Sequence, residues 1–294
     1  MSVMVAPATR LAQAAEVPLL RVTDLRAGFG SHAVLHGVEL EVREGDIAGV
    51  FGLNGAGKSV TMKVLAGLVP AWSGRIEYAG RDITNMSVEE RVRIGIGNVP
   101  QGRQVFPELT VEQNLRLGAY QLRRRDKSRY GFVLGQVYER FPVLATRRAQ
   151  LAGTMSGGEQ ASLAVARALM SEPRLLLVDE PSAGLAPKIV EELFEVLADL
   201  NSDGLTILLV EQNVTFGLKL VQTAHLLRTG RVVYSGLVAD LDRERVVTEL
   251  GIGRLLSGLH PSSTTNKRAS APRPARTARR QPKSRPQKRG SNDN

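Results

Sequence analysis

The run IAGVFGLNGAGKSVTMKVLAGL, residues 47–68, sets three local signals in a row. IAGVF is continuously apolar and flanked by glycines, the pattern of a strand buried on both faces. Gly52–Ser59 fits G-x-x-x-x-G-K-[ST], and SVTMKVLAGL continues with helical apolar spacing. A strand feeding a glycine loop feeding a helix is the layout a phosphate cradle requires. Gly52, Gly55 and Gly57 let backbone N–H groups turn toward phosphate, with Leu53, Asn54 and Ala56 completing the loop. Lys58 supplies a point charge for the β- and γ-phosphates, Ser59 a hydroxyl for Mg²⁺, and Val60 a further backbone N–H. The competing reading is a glycine-rich turn that matches by chance. The strand before it and the helix after it argue against that.

Two more buried runs lie downstream. LLLVDE (175–180) ends in a carboxylate pair: Asp179 is placed to hold Mg²⁺ through water, and Glu180 to orient or deprotonate an attacking water. Such a pair alone is more often a solvated strand end, but a phosphate loop in the same chain reverses the balance. The reaction class is Mg²⁺-dependent ATP hydrolysis. LTILLVEQ (205–212) reads as another buried strand, and HLLRTGRVVYSG (225–236) as a hairpin around Thr229-Gly230. LLRVTDL (19–25), VELEV (38–42) and GRIEYAG (74–80) alternate as antiparallel strands do. TVEQNLRLGAYQLRRR (110–125) reads as one helix with a Thr110/Gln113 capping box; the stretch to Gly153 stays helical around an interruption at Pro142. A second amphipathic helix starts at Pro187 and presents Val190, Leu193, Phe194 and Leu197 on one face.

Composition narrows the classes. The chain has 294 residues and 43% hydrophobic residues, enough for a large core. There are no cysteines, so disulfides, thiolate catalysis and Cys-based zinc are excluded. No apolar run reaches the roughly 18 residues of a membrane span. The four histidines (His32, His36, His225, His260) match no catalytic or metal pattern. Net charge is +10, yet residues 261–294 hold ten Lys/Arg against Asp293 alone, a local +9. The body is nearly neutral. We expect a flexible extension at 1–17, a folded domain at 18–258 and a disordered basic tail at 259–294. Residues 261–294 contain no aromatic residue for base stacking, so nucleic acid is not an expected partner; a solvated tail and an anionic-lipid contact stay open. The cluster Arg123, Arg124, Arg125, Lys127 and Arg129 reads as a solvated helix end.

A second helix start, SGGEQASLAVARALM (156–170), also suits an anion: Ser156 and Glu159 fit a capping box, and Gly157 and Gly158 leave backbone amides bare. A plain helix cap is the competing reading. Gly52–Ser59, Gln101 in VPQGRQVF, MSGGE at 155–159 and VDEPSAGLAP at 178–187 occur in the order seen in ABC-transporter ATP-binding subunits, which the chain resembles over roughly residues 18–251. The resemblance implies an α/β fold: a P-loop NTPase (RecA-like) parallel-sheet core with an antiparallel β subdomain and an inserted helical subdomain at about 103–168. It implies a head-to-tail pair in which Ser156, Gly157, Gly158 and Glu159 meet the ATP held by the opposite subunit. Phe29 falls where the family stacks an aromatic on adenine, although an ordinary core Phe reads the same way. Gln101 resembles the glutamine that senses Mg²⁺, and SAGLAP a loop at the pair's interface, with Ala186 where many members carry Asp.

Gln212 stands where most such ATPases have a switch histidine; Gln donates a hydrogen bond toward γ-phosphate but carries no charge. Val60 replaces a common second hydroxyl. GRQVFPELTVEQNLRLGAY, PSAGLAP and LLVEQNV are most like the LivF-type ATPases of branched-chain amino-acid importers, whereas Gln101 is more typical of urea and short-amide importers. The implied partners are transmembrane permease subunits, a second ATPase subunit and, indirectly, a solute-binding protein. The implied place is the cytoplasmic face of the membrane. A lipid exporter, and a soluble ABC protein acting on ribosomes or nucleic acid, are the other readings.

Overall fold

The apolar runs become two sheets. The chain opens with β1 (Leu20–Phe29), β2 (His32–Val42), β3 (Ile47–Phe51) and α1 (Lys58–Leu65), then β4 (Ser73–Tyr78), β5 (Arg81–Asp82), α2 (Val88–Arg93) and β6 (Ile96–Val99). Five helices follow: α3 (Val111–Gly118), α4 (Tyr120–Arg125), α5 (Lys127–Arg140), α6 (Pro142–Thr146) and α7 (Gly157–Leu169). The rest is β7 (Leu175–Asp179), α8 (Pro187–Ser202), β8 (Thr206–Glu211), α9 (Val214–Leu220), β9 (Thr223–Arg228), β10 (Arg231–Leu237) and α10 (Arg243–Leu250). This computed structural model describes residues 17–250. Except for Val17, the expected extension lies outside the described residues, as does the whole basic tail.

The antiparallel sheet has order β2-β1-β4-β5, and the larger sheet has order β10-β9-β3-β8-β7-β6. In the larger sheet β9, β3, β8, β7 and β6 are parallel, and only the β9–β10 hairpin is antiparallel. Period two sorts its residues to two cores. Ile47, Phe51, Leu176, Val178, Ile207 and Leu209 join the core built with α7 and α8. Ala48, Val50, Leu175, Leu177, Leu208 and Val210 join the one built with α1 and the antiparallel sheet. Both faces are covered, which is why these strands read as unbroken apolar runs instead of alternating ones.

The expected single helix over 110–125 is two. Its capping box forms as read, with Thr110 accepting from Gln113 N–H, but the helix breaks at Ala119 (φ −88°, ψ 13°). Packing is the reason. Gly118 lies so close to α7 that a β-carbon there would sit 2.0 Å from the Arg167 carbonyl. Glycine is a poor helix former, so the residue this close approach requires is also the point at which the helix gives way.

The far end of α1 is fixed by a residue the sequence did not single out. Arg91 is 2% exposed and has no carboxylate partner among the described residues. Its guanidinium donates to the carbonyls of Val64 and Leu65 at 2.7 Å each, Ile83 at 2.9 Å, Thr84 at 3.0 Å and Met86 at 3.1 Å. It thereby caps the C-terminal carbonyls of α1, where the helix dipole favours a cation.

Candidate functional site

Three neighbouring strands, β3, β8 and β7, end together, and the loops leaving their C-terminal ends build the site. Open α/β sheets bind ligands at that edge. After β3, Gly52 is required by packing: a β-carbon there would lie 2.4 Å from the Leu227 carbonyl on β9. Gly57 is required by conformation, at φ 107° in the left-handed region. As the N-cap of α1, Gly57 offers no capping side chain, and the first turn contains no acid. The amides of Lys58, Ser59 and Val60 therefore face the loop uncapped, as an anion site requires. The Val60 side chain packs into the core beneath α1, which accounts for an apolar residue at that position.

Lys58 is 4% exposed. Its Nζ donates to the carbonyls of Gly52 (2.9 Å) and Leu53 (3.3 Å) and pairs with Glu180 Oε1 at 3.1 Å. The other Glu180 oxygen accepts from Gln101 Nε2 at 2.7 Å. Residues 58, 101 and 180 thus meet on one carboxylate. Glu180 itself has φ 45°, strain of the kind that collects at functional sites. Beside it, Ser59 Oγ donates to Asp179 Oδ1 at 3.5 Å.

Asp179 is 4% exposed, and burial, reinforced by the charge of Glu180, pushes its pKa up to about 6. A folded-state value above the unfolded 3.8 means that the folded state holds the proton more tightly. Stability is therefore fully present in acid and falls as pH rises through about 6. The ionised carboxylate costs on the order of 2–3 kcal/mol at neutral pH. We predict that Asp179→Asn, free of nucleotide and metal, melts about 5 °C higher at pH 7.5, and that the gain shrinks at pH 5. Thermal unfolding in EDTA at both pH values checks this; an unchanged or lower melting temperature at pH 7.5 overturns it.

The second helix start differs. At α7 the capping box is complete: Ser156 N–H donates to Glu159 Oε2 at 2.9 Å, and Glu159 N–H to Ser156 Oγ at 3.4 Å. Glu159 also pairs with Arg147 at 3.0 Å. That leaves the amides of Gly157 and Gly158 without a partner among the described residues. No hydrogen bond or ion pair links Ser156–Glu159 to Gly52–Ser59 among the described residues. Arg103, which carries no sequence signal of its own, joins this start to the loop after β7. Its guanidinium would lie 2.8 Å from a β-carbon on Gly157, and it reaches the Ala183 and Gly184 carbonyls at 3.5 Å.

Phe29 ends β1 with 53% of its surface exposed, so it is not a core residue. Gln212 is exposed; its N–H donates to Glu211 Oε2 at 3.1 Å and its carbonyl accepts from Val214 N–H. Of the basic cluster, Arg129 pairs with Glu172 and stacks on Phe132 at 4.9 Å. A polar groove of about 750 Å³ runs between β2 and β10, away from all these residues. His225 in its wall bonds Ser235 Oγ (2.9 Å) and the Glu41 carbonyl (3.1 Å), and burial holds its pKa down to about 4. It is a satisfied, neutral core histidine.

Among the described residues no cluster of three or more His, Cys, Asp or Glu could hold a metal. A Ser hydroxyl beside one Asp suits Mg²⁺, which keeps waters and phosphate oxygens in its shell and needs few protein ligands. The chemistry of the donor set therefore fits Mg²⁺ bound together with a nucleotide.

The chain is similar to known proteins in sequence and in fold. Residues 35–183 match the family described as ABC transporter. The chain is 46% identical over 205 residues to the high-affinity branched-chain amino acid transport ATP-binding protein BraG of Pseudomonas aeruginosa, covering 70% of this chain and 87% of that protein. It is 37% identical to the probable branched-chain amino acid transport ATP-binding protein LivF of Archaeoglobus fulgidus, covering 80% of this chain and 99% of that protein. Among solved structures it is similar to a nucleotide-free ATP-binding cassette from an ABC transporter, with TM-score 0.70, 26% identity, and coverage of 82% and 98%.

Proposed function

Because this chain belongs to the ABC transporter family as an ATP-binding subunit, we propose that it drives an importer of branched-chain or other hydrophobic amino acids. The observation that carries the substrate class is the 46% identity to a protein named for that transport, extending over 87% of its length.

In the proposed cycle the amides of Gly52–Val60 and Lys58 hold the triphosphate, and Phe29 stacks on adenine. Ser59 and Asp179 would hold Mg²⁺, with Gln101 beside them; when bound, it neutralises charge developing on the phosphate oxygens. Glu180 takes a proton from the attacking water, and Gln212 donates a hydrogen bond toward the γ-phosphate. Gln101 holds Glu180 at 2.7 Å, tying the base to the segment that leads into the helices α3–α7. The amides of Gly157 and Gly158 take the γ-phosphate of the nucleotide held by a second ATPase subunit. Each nucleotide then bridges two surfaces, so ATP favours closure and hydrolysis releases it. Among the described residues no helix is long and apolar enough to cross a membrane. The chain is proposed to sit as a peripheral subunit on permeases at the cytoplasmic face. The basic tail is proposed to contact anionic lipid there.

Reconstitution tests the substrate class. The chain, co-expressed with the permease and solute-binding subunits of a branched-chain amino-acid importer, is placed in vesicles. ATP-dependent uptake of labelled leucine, competed by isoleucine and valine, is expected. ATP hydrolysis stimulated instead by urea, a short amide or a lipid would overturn it.

A further inference from the structure

One buried carboxylate beside the site is unused by this cycle. Glu211 ends β8 and is 1% exposed. It lies one strand from the Asp179–Glu180 pair: Asp179 stands opposite Val210, and Glu180 N–H donates to the Val210 carbonyl. Its oxygens accept four bonds. Oε1 accepts from Ser182 N–H at 3.1 Å. Oε2 accepts from Ser182 Oγ at 2.8 Å, Gln212 N–H at 3.1 Å and Asn213 N–H at 3.3 Å. Two donors belong to the loop that follows Glu180, and two to the loop that bears Gln212.

The residue type is informative. Among the described residues no cation pairs with Glu211, and burial, opposed by the Ser182 bonds, raises its pKa. Removing a carboxylate from water without a counter-charge is expensive, so a plain structural tie would be better made by a neutral group. What only an ionised carboxylate offers is acceptor capacity on both oxygens at once. A glutamine would turn its NH₂ toward Ser182 N–H, donor against donor. The four convergent donors therefore select Glu at a cost in stability.

We infer that Glu211 is a positioning residue for hydrolysis: it locks the loop after Glu180 to the loop of Gln212, so that the base and the γ-phosphate contact keep one spacing. This rests on the roles proposed for Glu180 and Gln212, and the experiment separates the two.

Glu211→Gln, Glu211→Ala, Ser182→Ala, Gln212→Ala and the doubles Glu211→Ala/Gln212→Ala and Ser182→Ala/Gln212→Ala are compared in the full-length chain with its transporter partners. We expect kcat to fall about 10-fold in Glu211→Gln and about 100-fold in Glu211→Ala, while KM for ATP moves less than about threefold. Residues acting as one unit are non-additive, so each double is expected to be no slower than its slower single variant. The Ser182/Gln212 cycle retains Glu211 and reads the same coupling should the Glu211 variants fold poorly. A lowered melting temperature with native kcat in the Glu211 variants, or doubles whose losses multiply, overturns the inference. Should Glu180→Gln, run alongside, hydrolyse ATP at the native rate, the underlying assignment of the base falls instead.

Discussion

Glu180→Gln is expected to lower kcat for ATP hydrolysis by about 10³-fold, the middle of the range for loss of a positioned general base, with nucleotide affinity retained. The geometry explains why the two effects part. Glutamine is isosteric, so an amide oxygen can still face Lys58 Nζ, 3.1 Å away in the native pair, while the fold of the loop is kept. The capacity to take a proton disappears together with the negative charge facing Lys58, and Gln101 must turn its amide so that its oxygen accepts from the new NH₂. ATP then remains in place, and the proposed second consequence is a stable, closed pair of subunits. Size-exclusion chromatography with Mg-ATP should show an assembly of doubled mass that ADP does not produce. Hydrolysis near the native rate would remove Glu180 as the base. Loss of hydrolysis with no change in association would leave the base standing and overturn the bridging role of the nucleotide.

Lys58→Ala is expected to abolish nucleotide binding and to weaken the fold at once. Lys58 touches the Gly52 and Leu53 carbonyls and the carboxylate of Glu180, with both members of the pair almost wholly buried. Truncation removes the phosphate contact and strands a buried charge, and breaking such a pair costs about 3–5 kcal/mol. The expected result is an ATP-induced rise in melting temperature that vanishes, together with a lower baseline melting temperature. Adding Glu180→Gln to Lys58→Ala removes the stranded charge and should recover part of the baseline without restoring the nucleotide shift. A Lys58→Ala protein with native stability would show that the Lys58–Glu180 pair contributes nothing to the fold.

Much of this is legible in the sequence alone. The strand IAGVF, the cradle at Gly52–Ser59, the carboxylates ending LLLVDE and the capping boxes at Thr110 and Ser156 all formed as read. Each is local: its logic lies within about ten residues of chain, where strand burial, glycine conformation and cap chemistry act. The helix break at Ala119 was half legible: Gly118 weakens the helix locally, but the need for a glycine there comes from the Arg167 carbonyl on another helix. Not legible were the five-carbonyl cap by Arg91, the seating of Arg103 on Gly157, and the four-donor site of Glu211.

By itself, then, the sequence determined that this chain holds a G-x-x-x-x-G-K-S loop between a strand and a helix, an acidic strand end and a second helix start with two glycines behind its Ser156 cap. It determined the family as well, since family motifs are contiguous words. Only the tertiary structure decided which of these groups touch. Gln101 reaches Glu180 across 79 residues, and Ser59 reaches Asp179 across 120. The physical reason is the strand order. In β10-β9-β3-β8-β7-β6, strands far apart in the chain lie side by side, so the loops at their ends meet through the sheet instead of through the chain.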